Sequence, residues 1–213
     1  MRGLDKIIII ANGELPSEEI MKSLKLDKDM IIAADGGARI CRECGLVPYY
    51  IVGDLDSIKD EIDEYKHSEI VKIESQDTTD MQKALDFAIQ FHPEELHIYA
   101  ALGNRCDHTL ANLFLFFNFE YNGDLTVYDN FGCLKILKPG KHKLEGESGE
   151  LVSFFSFSKL KNFKIKGLKY PVPLQNLKSN FYSISNEFTS ANAEISFSEG
   201  RVLYYRVCMN RAK

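Results

Sequence analysis

The 213 residues of the chain are 45% hydrophobic and 27% charged, with a formal net charge of −5 at pH 7. This composition is typical of a globular protein, and the length is sufficient for one large domain or two small ones. The acidic balance argues against a nucleic-acid partner, which normally requires a basic surface. The apolar run at positions 7–11 is too short for a signal-peptide core or a membrane span, so we expect a soluble cytoplasmic protein without a membrane partner.

Strands and helices are predicted to alternate over the first part of the chain. The β-branched run at positions 6–11 is typical of a strand buried on both faces of a parallel sheet. Alternation of this kind predicts an α/β domain, Rossmann-like, with a mostly parallel sheet and helices on both faces. The predicted strands are 6–11, 30–34, 48–52, 69–73, 96–101 and 125–128, and the predicted helices are 18–24, 40–44, 60–66, 81–89 and 109–119.

The pattern changes near position 132, where helical periodicity stops and short strands separated by turn residues begin. Strands are predicted at 151–157, 163–165, 181–184, 193–197 and 201–207. Regular strands with turn signals and no helices indicate an antiparallel β-sandwich. We therefore predict two domains, an α/β domain over 1–135 and a C-terminal β-sandwich over 136–213.

Two carboxylates follow the third predicted strand, in the stretch Gly53-Asp54-Leu55-Asp56-Ser57. In an extended backbone, residues i and i+2 point to the same side, so Asp54 and Asp56 would face one point. Two hard oxygen ligands at a strand end suit Mg²⁺ bound together with substrate phosphates. The alternative is that Asp and Ser mark a loop and cap the next helix, which is the expected role of Ser57.

Other acidic residues also follow predicted strands, and parallel strands would bring all these ends to one edge of the sheet. Lys83 and Arg105 are close in sequence to them and are candidates to meet phosphate oxygens. The chain has neither a Walker A loop nor a GxGxxG motif, so the usual phosphate-binding loops are absent from it. The residues predict a Mg²⁺-dependent phosphate-transfer enzyme without identifying the acceptor. These further acids are Asp35, Asp77, Asp80 and Asp107, of which Asp77 is equally explained as a helix cap.

Five cysteines lie at positions 41, 44, 106, 133 and 208, an odd number that is typical of reduced thiols. Cys41 and Cys44 form a single CxxC motif inside a predicted helix. A redox or zinc role stays open for this motif. Because no second CxxC and no nearby histidine pair accompanies it, we expect structural thiols.

Six short motifs, in this order along the chain, together resemble those of the thiamine pyrophosphokinase family. Each motif is weak by itself, but the ordered set is specific. Asn104 and Cys106 depart from the residues more usual in the fourth motif, and neither changes a charged group. The motifs are DGGA at 35–38, GDLDS at 53–57, QDTTD at 76–80 followed by Lys83, GNRCDHTLAN at 103–112, GLKY at 167–170 and SISN at 183–186.

The resemblance implies that ATP donates a pyrophosphoryl group to the thiamine hydroxyl, leaving AMP, with Mg²⁺ as the cofactor. It also implies a homodimer with the active site at the subunit interface. The implied metal ligands are Asp54, Asp56 and Asp80, and the implied catalytic residues are these three with Arg105 and Asp107. The implied ATP-binding residues are Asp35, Gln76, Asp77, Thr79, Lys83 and Arg105, and the implied thiamine contacts are Ser185 and Asn186, contributed by the other subunit.

The sequence leaves two other functions open. One is a related pyrophosphokinase that acts on a hydroxymethylpterin-like acceptor, and the other is a non-catalytic sensor of nucleotide or thiamine. The chain contains no Trp, which some members of the resembling family place at the thiamine site. A tyrosine such as Tyr170, Tyr204 or Tyr205 is the expected replacement.

Overall fold

The computed structural model describes residues 5–18, 20 and 29–207. The chain divides into two compact units, the first ending at Asn130 and the second beginning at Phe131. The predicted fold class, an α/β fold followed by an antiparallel β-sandwich, is confirmed. The bounds 1–135 and 136–213 stay predictions, as do the roles expected for the two domains, ATP and Mg²⁺ binding for the first and thiamine binding and dimerisation for the second.

The first unit contains six parallel strands in the order β6-β5-β1-β2-β3-β4. Strand β1 lies inside the sheet, between β5 and β2, and its four isoleucines are fully buried. The order reverses beside β1, since β2 to β4 lie on one side of it and β5 and β6 on the other. The strands are β1 (Lys6–Ile10), β2 (Met30–Ala34), β3 (Tyr50–Gly53), β4 (Glu69–Lys72), β5 (Glu95–Tyr99) and β6 (Asp124–Tyr128).

Helices connect these strands and cover the sheet. Helix α1 (Gly37–Glu43) places Ala38, Ile40 and Cys41 in one core cluster with strand residues such as Ile8 and Ile31. Helix α2 (Asp80–Ala88) buries Met81, Ala84, Leu85 and Ala88, whose spacing places them on one face of the helix. The remaining described helices are α3 (Cys106–Asn118) and two 3₁₀ helices, Asp56–Tyr65 and Ile89–Phe91.

The helix expected at 60–66 is a 3₁₀ helix that begins earlier, at Asp56. The helix expected at 18–24 falls largely outside the described residues. In the described part of the chain, the longest α-helix is α3 with 13 residues, and none is long and apolar enough to span a membrane.

The second unit is built from eight antiparallel strands in two four-stranded sheets, β7-β14-β9-β12 and β8-β13-β10-β11. Phe154, Phe163, Phe188 and Ile195 are fully or almost fully buried in one cluster between strands of both sheets. The sequence did not predict β7, β8 or β11 as strands. The strands are β7 (Gly132–Leu137), β8 (Gly140–Glu145), β9 (Leu151–Ser156), β10 (Leu160–Lys166), β11 (Val172–Leu177), β12 (Phe181–Glu187), β13 (Asn192–Phe197) and β14 (Val202–Val207).

Candidate active site

Three carboxylates meet at the carboxyl edge of the parallel sheet. Asp35 follows β2, Asp54 follows the neighbouring strand β3, and Asp80 opens helix α2. One carboxylate oxygen from each lies within 4.8 Å of the others. The predicted convergence of strand-end acids therefore holds for these three residues.

The backbone around the cluster is tightly packed and partly left-handed. A Cβ atom at Gly53 would lie 2.8 Å from Cβ of Asp35 and 3.1 Å from Oδ1 of Asp80, so a glycine is required for this approach. Asp35 has a φ of 43° and Leu55 a φ of 69°, both uncommon for residues with side chains. The extended backbone expected from Asp54 to Asp56 is therefore wrong, because the chain turns at Leu55.

Gly36 and Gly37 pack closely against the end of β1 and the residues that follow it. A Cβ at Gly37 would lie 2.1 Å from the carbonyl oxygen of Ile10, and one at Gly36 would lie 2.3 Å from Nδ2 of Asn12. The backbone at both glycines is therefore packed too closely for a side chain, and this packing fixes the turn that carries Asp35. The packing role of Asn12 was not predicted, and only its position after the buried strand β1 hinted at it.

The electrostatics of the cluster differ from one carboxylate to the next. Asp35 is 4% exposed, and its Oδ1 atom has no hydrogen-bond partner among the described residues. Burial raises the pKa of Asp35, as do the negative charges of Asp80 and Asp54, whereas hydrogen bonds from Ser57 and the Gly36 backbone lower it. Ser57, predicted to be a helix cap, is thus a neighbour of the cluster.

Asp54 is held in its charged form by donors. The backbone N–H of Asp56 donates to Asp54 Oδ1 at 3.2 Å, and Nε2 of Gln76 donates to Oδ2 at 3.1 Å. The bond from the Asp56 N–H is the main cause that lowers the pKa of Asp54, with further contributions from Gln76 and Lys83. The predicted proximity of Gln76 to this edge is therefore found.

Lys83 is the cation of the cluster. Its side chain is 3% exposed, and its Nζ atom lies 2.9 Å from Asp80 Oδ1 and 3.8 Å from Asp54 Oδ2. Two of the three clustered carboxylates thus share one ammonium group, and Asp35 makes no ion pair with it among the described contacts. The orphaned oxygen of buried Asp35 and this excess of negative charge fit a hard divalent cation such as Mg²⁺, which prefers carboxylate oxygens.

Asp56 lies beside this cluster but is not part of it. Its side chain is exposed at the start of the 3₁₀ helix. Its backbone N–H contacts the cluster by donating a hydrogen bond to Asp54. Asp77 and Thr79 are also exposed. Thr79 caps α2 by accepting a hydrogen bond from the Gln82 N–H at 3.3 Å, and Asp77 exchanges hydrogen bonds with Ser75.

Arg105 and Asp107 form an exposed pair after β5. Arg105 donates through Nε at 3.1 Å and through a terminal nitrogen at 2.5 Å to the two oxygens of Asp107, a bidentate contact. The hydrogen bonds from Arg105 lower the pKa of Asp107 to about 2. The Arg105 side chain is 70% exposed, so it remains accessible to an anion.

Ser185 and Asn186 lie on β12 in the second unit, at an irregularity in its pairing with β9. Ser185 is exposed, with a φ of 52°, and its N–H donates to Oγ of Ser153. Asn186 is fully buried; its Nδ2 donates to the Tyr170 carbonyl and to Ser183 Oγ, and its Oδ1 accepts from the N–H groups of Tyr170 and Glu187. The amide of Asn186 is therefore satisfied within the chain.

Comparison with known families gives two matches that follow one another along the chain. Residues 21–128 match the model described as thiamin pyrophosphokinase, catalytic domain, and residues 141–202 match the model described as thiamin pyrophosphokinase, vitamin B1 binding domain. The first match includes all three clustered carboxylates. The second includes Ser185 and Asn186.

Individual relatives carry the same name. A thiamine pyrophosphokinase of Bacillus subtilis is 29% identical over 185 residues, which cover 82% of this chain and 86% of the relative. Thiamine pyrophosphokinase 1 of Oryza sativa is 33% identical over 110 residues, or 47% of this chain and 42% of the relative. The crystal structure of a thiamin pyrophosphokinase family protein from Enterococcus faecalis matches with a TM-score of 0.81 at 25% identity, covering 96% of this chain and 100% of that one.

Proposed function

The chain belongs to the thiamin pyrophosphokinase family, and we infer from this membership that it is an ATP:thiamine diphosphotransferase. Its reaction transfers the pyrophosphoryl group of ATP to the hydroxyl of thiamine and yields thiamine diphosphate and AMP. The observation that carries this conclusion is the match of both family domains, in order, to one chain. The cluster of carboxylates at the sheet edge supplies a physical basis for it.

The cluster is our proposed site for Mg²⁺. Asp54 and Asp80, two of the three predicted ligands, would hold the ion together with Asp35, whose Oδ1 has no partner among the described residues. Asp56 stays a predicted ligand, supported by its position next to Asp54. When bound, Mg²⁺ would neutralise the negative charge on phosphate oxygens.

The donor nucleotide is proposed to lie along this edge. Gln76 is already bonded to Asp54, so its exposed side chain is positioned beside the cluster. Asp77 and Thr79 complete the predicted ATP-binding segment at the start of α2. Arg105 would offer its accessible guanidinium to phosphate oxygens, and Asp107 would hold that guanidinium in place until substrate binds.

Thiamine is proposed to bind through the second unit of a partner subunit in a homodimer. The support is the exposed Ser185 and, on the same strand, the exposed apolar side chains of Tyr182 and Ile184, which are 72% and 62% accessible. Exposed apolar groups of this kind are typical of interaction surfaces. Buried Asn186 would act by fixing the strand that carries them.

The activity is tested by measuring AMP release from ATP with Mg²⁺ and thiamine. We expect AMP only when thiamine is present, and mass spectrometry should identify thiamine diphosphate. AMP formation with a hydroxymethylpterin but not with thiamine would overturn the proposal. Binding of both ligands without turnover would indicate a sensor instead.

The metal ligands are tested with Asp54→Asn and Asp56→Asn, each expected to lower kcat by about 10²-fold or more, as when one electrostatic stabiliser is lost. Asp63→Asn is the matched control, because Asp63 is exposed on the same 3₁₀ helix and has no proposed role. Full activity in both site variants would contradict the proposed role of these carboxylates.

The shared active site is tested by mixing two inactive variants. Asp54→Asn disables the proposed metal site, and Ser185→Trp is designed to block the proposed thiamine site. If the site lies between subunits, exchange creates a heterodimer with one intact site, and activity returns. A mixture that stays inactive although light scattering and native mass spectrometry show heterodimers would contradict a site composed of two subunits.

A further inference from the structure

Lys83 has a position that its predicted role at the ATP phosphates does not explain. It lies one turn after Asp80 on α2, where its buried neighbours on the helix are Met81, Ala84 and Leu85. The lysine side chain is itself 3% exposed. A buried ammonium group is costly unless it is paired, so the carboxylates around it are what keep it there.

The contacts of the ammonium group are with the proposed metal ligands. Nζ lies 2.9 Å from Asp80 Oδ1 and 3.8 Å from Asp54 Oδ2. The same Asp80 oxygen accepts a hydrogen bond from the Asp54 N–H at 3.4 Å. Lys83 thus links two carboxylates that would otherwise repel each other.

Arg105 is a cation of the same unit whose side chain is accessible to solvent, and it can be compared with Lys83. Its side chain is 70% exposed, compared with 3% for Lys83. A phosphate group approaching from solvent can therefore meet the guanidinium of Arg105, whereas it meets the carboxylates before the ammonium of Lys83.

We propose that Lys83 is a positioning residue, an internal counter-ion that draws Asp54 and Asp80 together and competes with the divalent cation for them. This inference rests on the proposed function, because it takes the three-carboxylate cluster as the metal site. It gives Lys83 a role at the metal ligands rather than at ATP.

The consequence is a metal affinity that rises when the ammonium is removed. Like charges a few ångströms apart repel strongly in a partly buried site. A neutral side chain at position 83 should therefore tighten metal binding. It should also destabilise the metal-free protein, since the clustered carboxylates then lack their counter-ion.

The test uses Mn²⁺ alone, without nucleotide or thiamine, on the purified full chain. Binding is followed by the loss of the free Mn²⁺ signal in electron paramagnetic resonance. For Lys83→Met, which keeps an unbranched side chain and removes the ammonium group, we expect the Kd for Mn²⁺ to fall by at least about tenfold, or about 1.4 kcal/mol. Lys83→Gln should change the Kd in the same direction and serves if the methionine variant does not fold.

Lys72→Met is the matched control. Lys72 also acts electrostatically on Asp54 and Asp56, but it is exposed and paired with Glu74 at 2.8 Å. Because solvent screens an exposed charge, this variant should change the Kd for Mn²⁺ by less than about threefold.

A second measurement follows the melting temperature. Without metal, Lys83→Met should melt below the native chain, and saturating Mn²⁺ should raise its melting temperature by more than it raises that of the native chain. Unchanged or weaker Mn²⁺ binding by both position-83 variants, including no binding by any variant, would overturn the counter-ion role. A failure of the proposed function is a separate result, the absence of thiamine-dependent AMP from the native chain.

Discussion

Gly53 and Asp35 approach so closely that a Cβ atom on Gly53 would lie 2.8 Å from Cβ of Asp35. The same Cβ would also crowd Asp80 Oδ1 at 3.1 Å. We therefore expect Gly53→Ala to displace two clustered carboxylates. The predicted result is a loss of about 1–3 kcal/mol in the free energy of unfolding from overpacking. A fall in kcat/KM of about 10²-fold is also expected if the ligands shift by about 1 Å.

Gly45→Ala is the control for this change. Gly45 has a φ of 70°, but a Cβ there would meet nothing within 4 Å. This variant should lose a similar amount of stability through backbone strain, while its kcat/KM stays at the native value. Chemical denaturation and steady-state kinetics on both variants separate the two effects. Equal kinetic losses in both would contradict the proposed importance of the approach at Gly53.

The pair formed by Arg105 and Asp107 predicts a pH dependence. The hydrogen bonds from Arg105 depress the pKa of Asp107 to about 2, below the ordinary value of 3.8. A depressed carboxylate pKa means that the pair contributes stability above about pH 4 and loses it as the pH falls through about 2. In Arg105→Ala the pKa of Asp107 should return towards 3.8, as measured from its ¹³Cγ chemical shift. A titration of Asp107 that is unchanged by this substitution would contradict the contact.

The fold could be predicted where burial imposes a pattern on the sequence. Strand β1 is a run of isoleucines because both of its faces are covered, and such runs are readable without a structure. β8 and β11 were missed because they lie at the two edges of their sheet, where a strand pairs with only one neighbouring strand. β8 is mostly exposed, and β11 contains Pro173, which is tolerated at an edge.

The site could be predicted as far as strand order decides it. Asp35 and Asp54 come together because β2 and β3 are neighbours in the parallel sheet. The left-handed turn at Leu55, which removes Asp56 from the cluster, has no signal in the sequence because leucine rarely adopts that conformation. The burial of Lys83 was equally hidden, since a lysine on a helix is usually solvated.

The CxxC motif predicts low reactivity. Cys41 is buried, and this burial raises the pKa of its thiol to about 12, whereas Cys106 is exposed. At pH 8 a thiol-specific reagent such as iodoacetamide should therefore modify Cys106 before Cys41, because the thiolate is the nucleophile. Peptide mapping after brief labelling with iodoacetamide measures this order. Cys106→Ser should lose the early label, and early labelling of Cys41 would favour the redox role left open for the motif.

Ser185 and Asn186 are neighbours that we expect to affect thiamine turnover in different ways. Asn186→Ala removes the four hydrogen bonds made by a fully buried amide, among them those with the Tyr170 N–H and carbonyl, so it should cost about 1–3 kcal/mol or more in the free energy of unfolding. Ser185→Ala keeps the backbone bond to Ser153 and removes only an exposed hydroxyl. It should raise the KM for thiamine while leaving the melting temperature within about 1–2 °C of the native value, as expected for a surface change.

Thermal denaturation and thiamine titrations compare the two variants with Ser190→Ala, which changes an exposed serine outside the proposed site. A native KM in Ser185→Ala would remove Ser185 from the thiamine contacts, and an unchanged melting temperature in Asn186→Ala would show that its hydrogen bonds do not stabilise the strand.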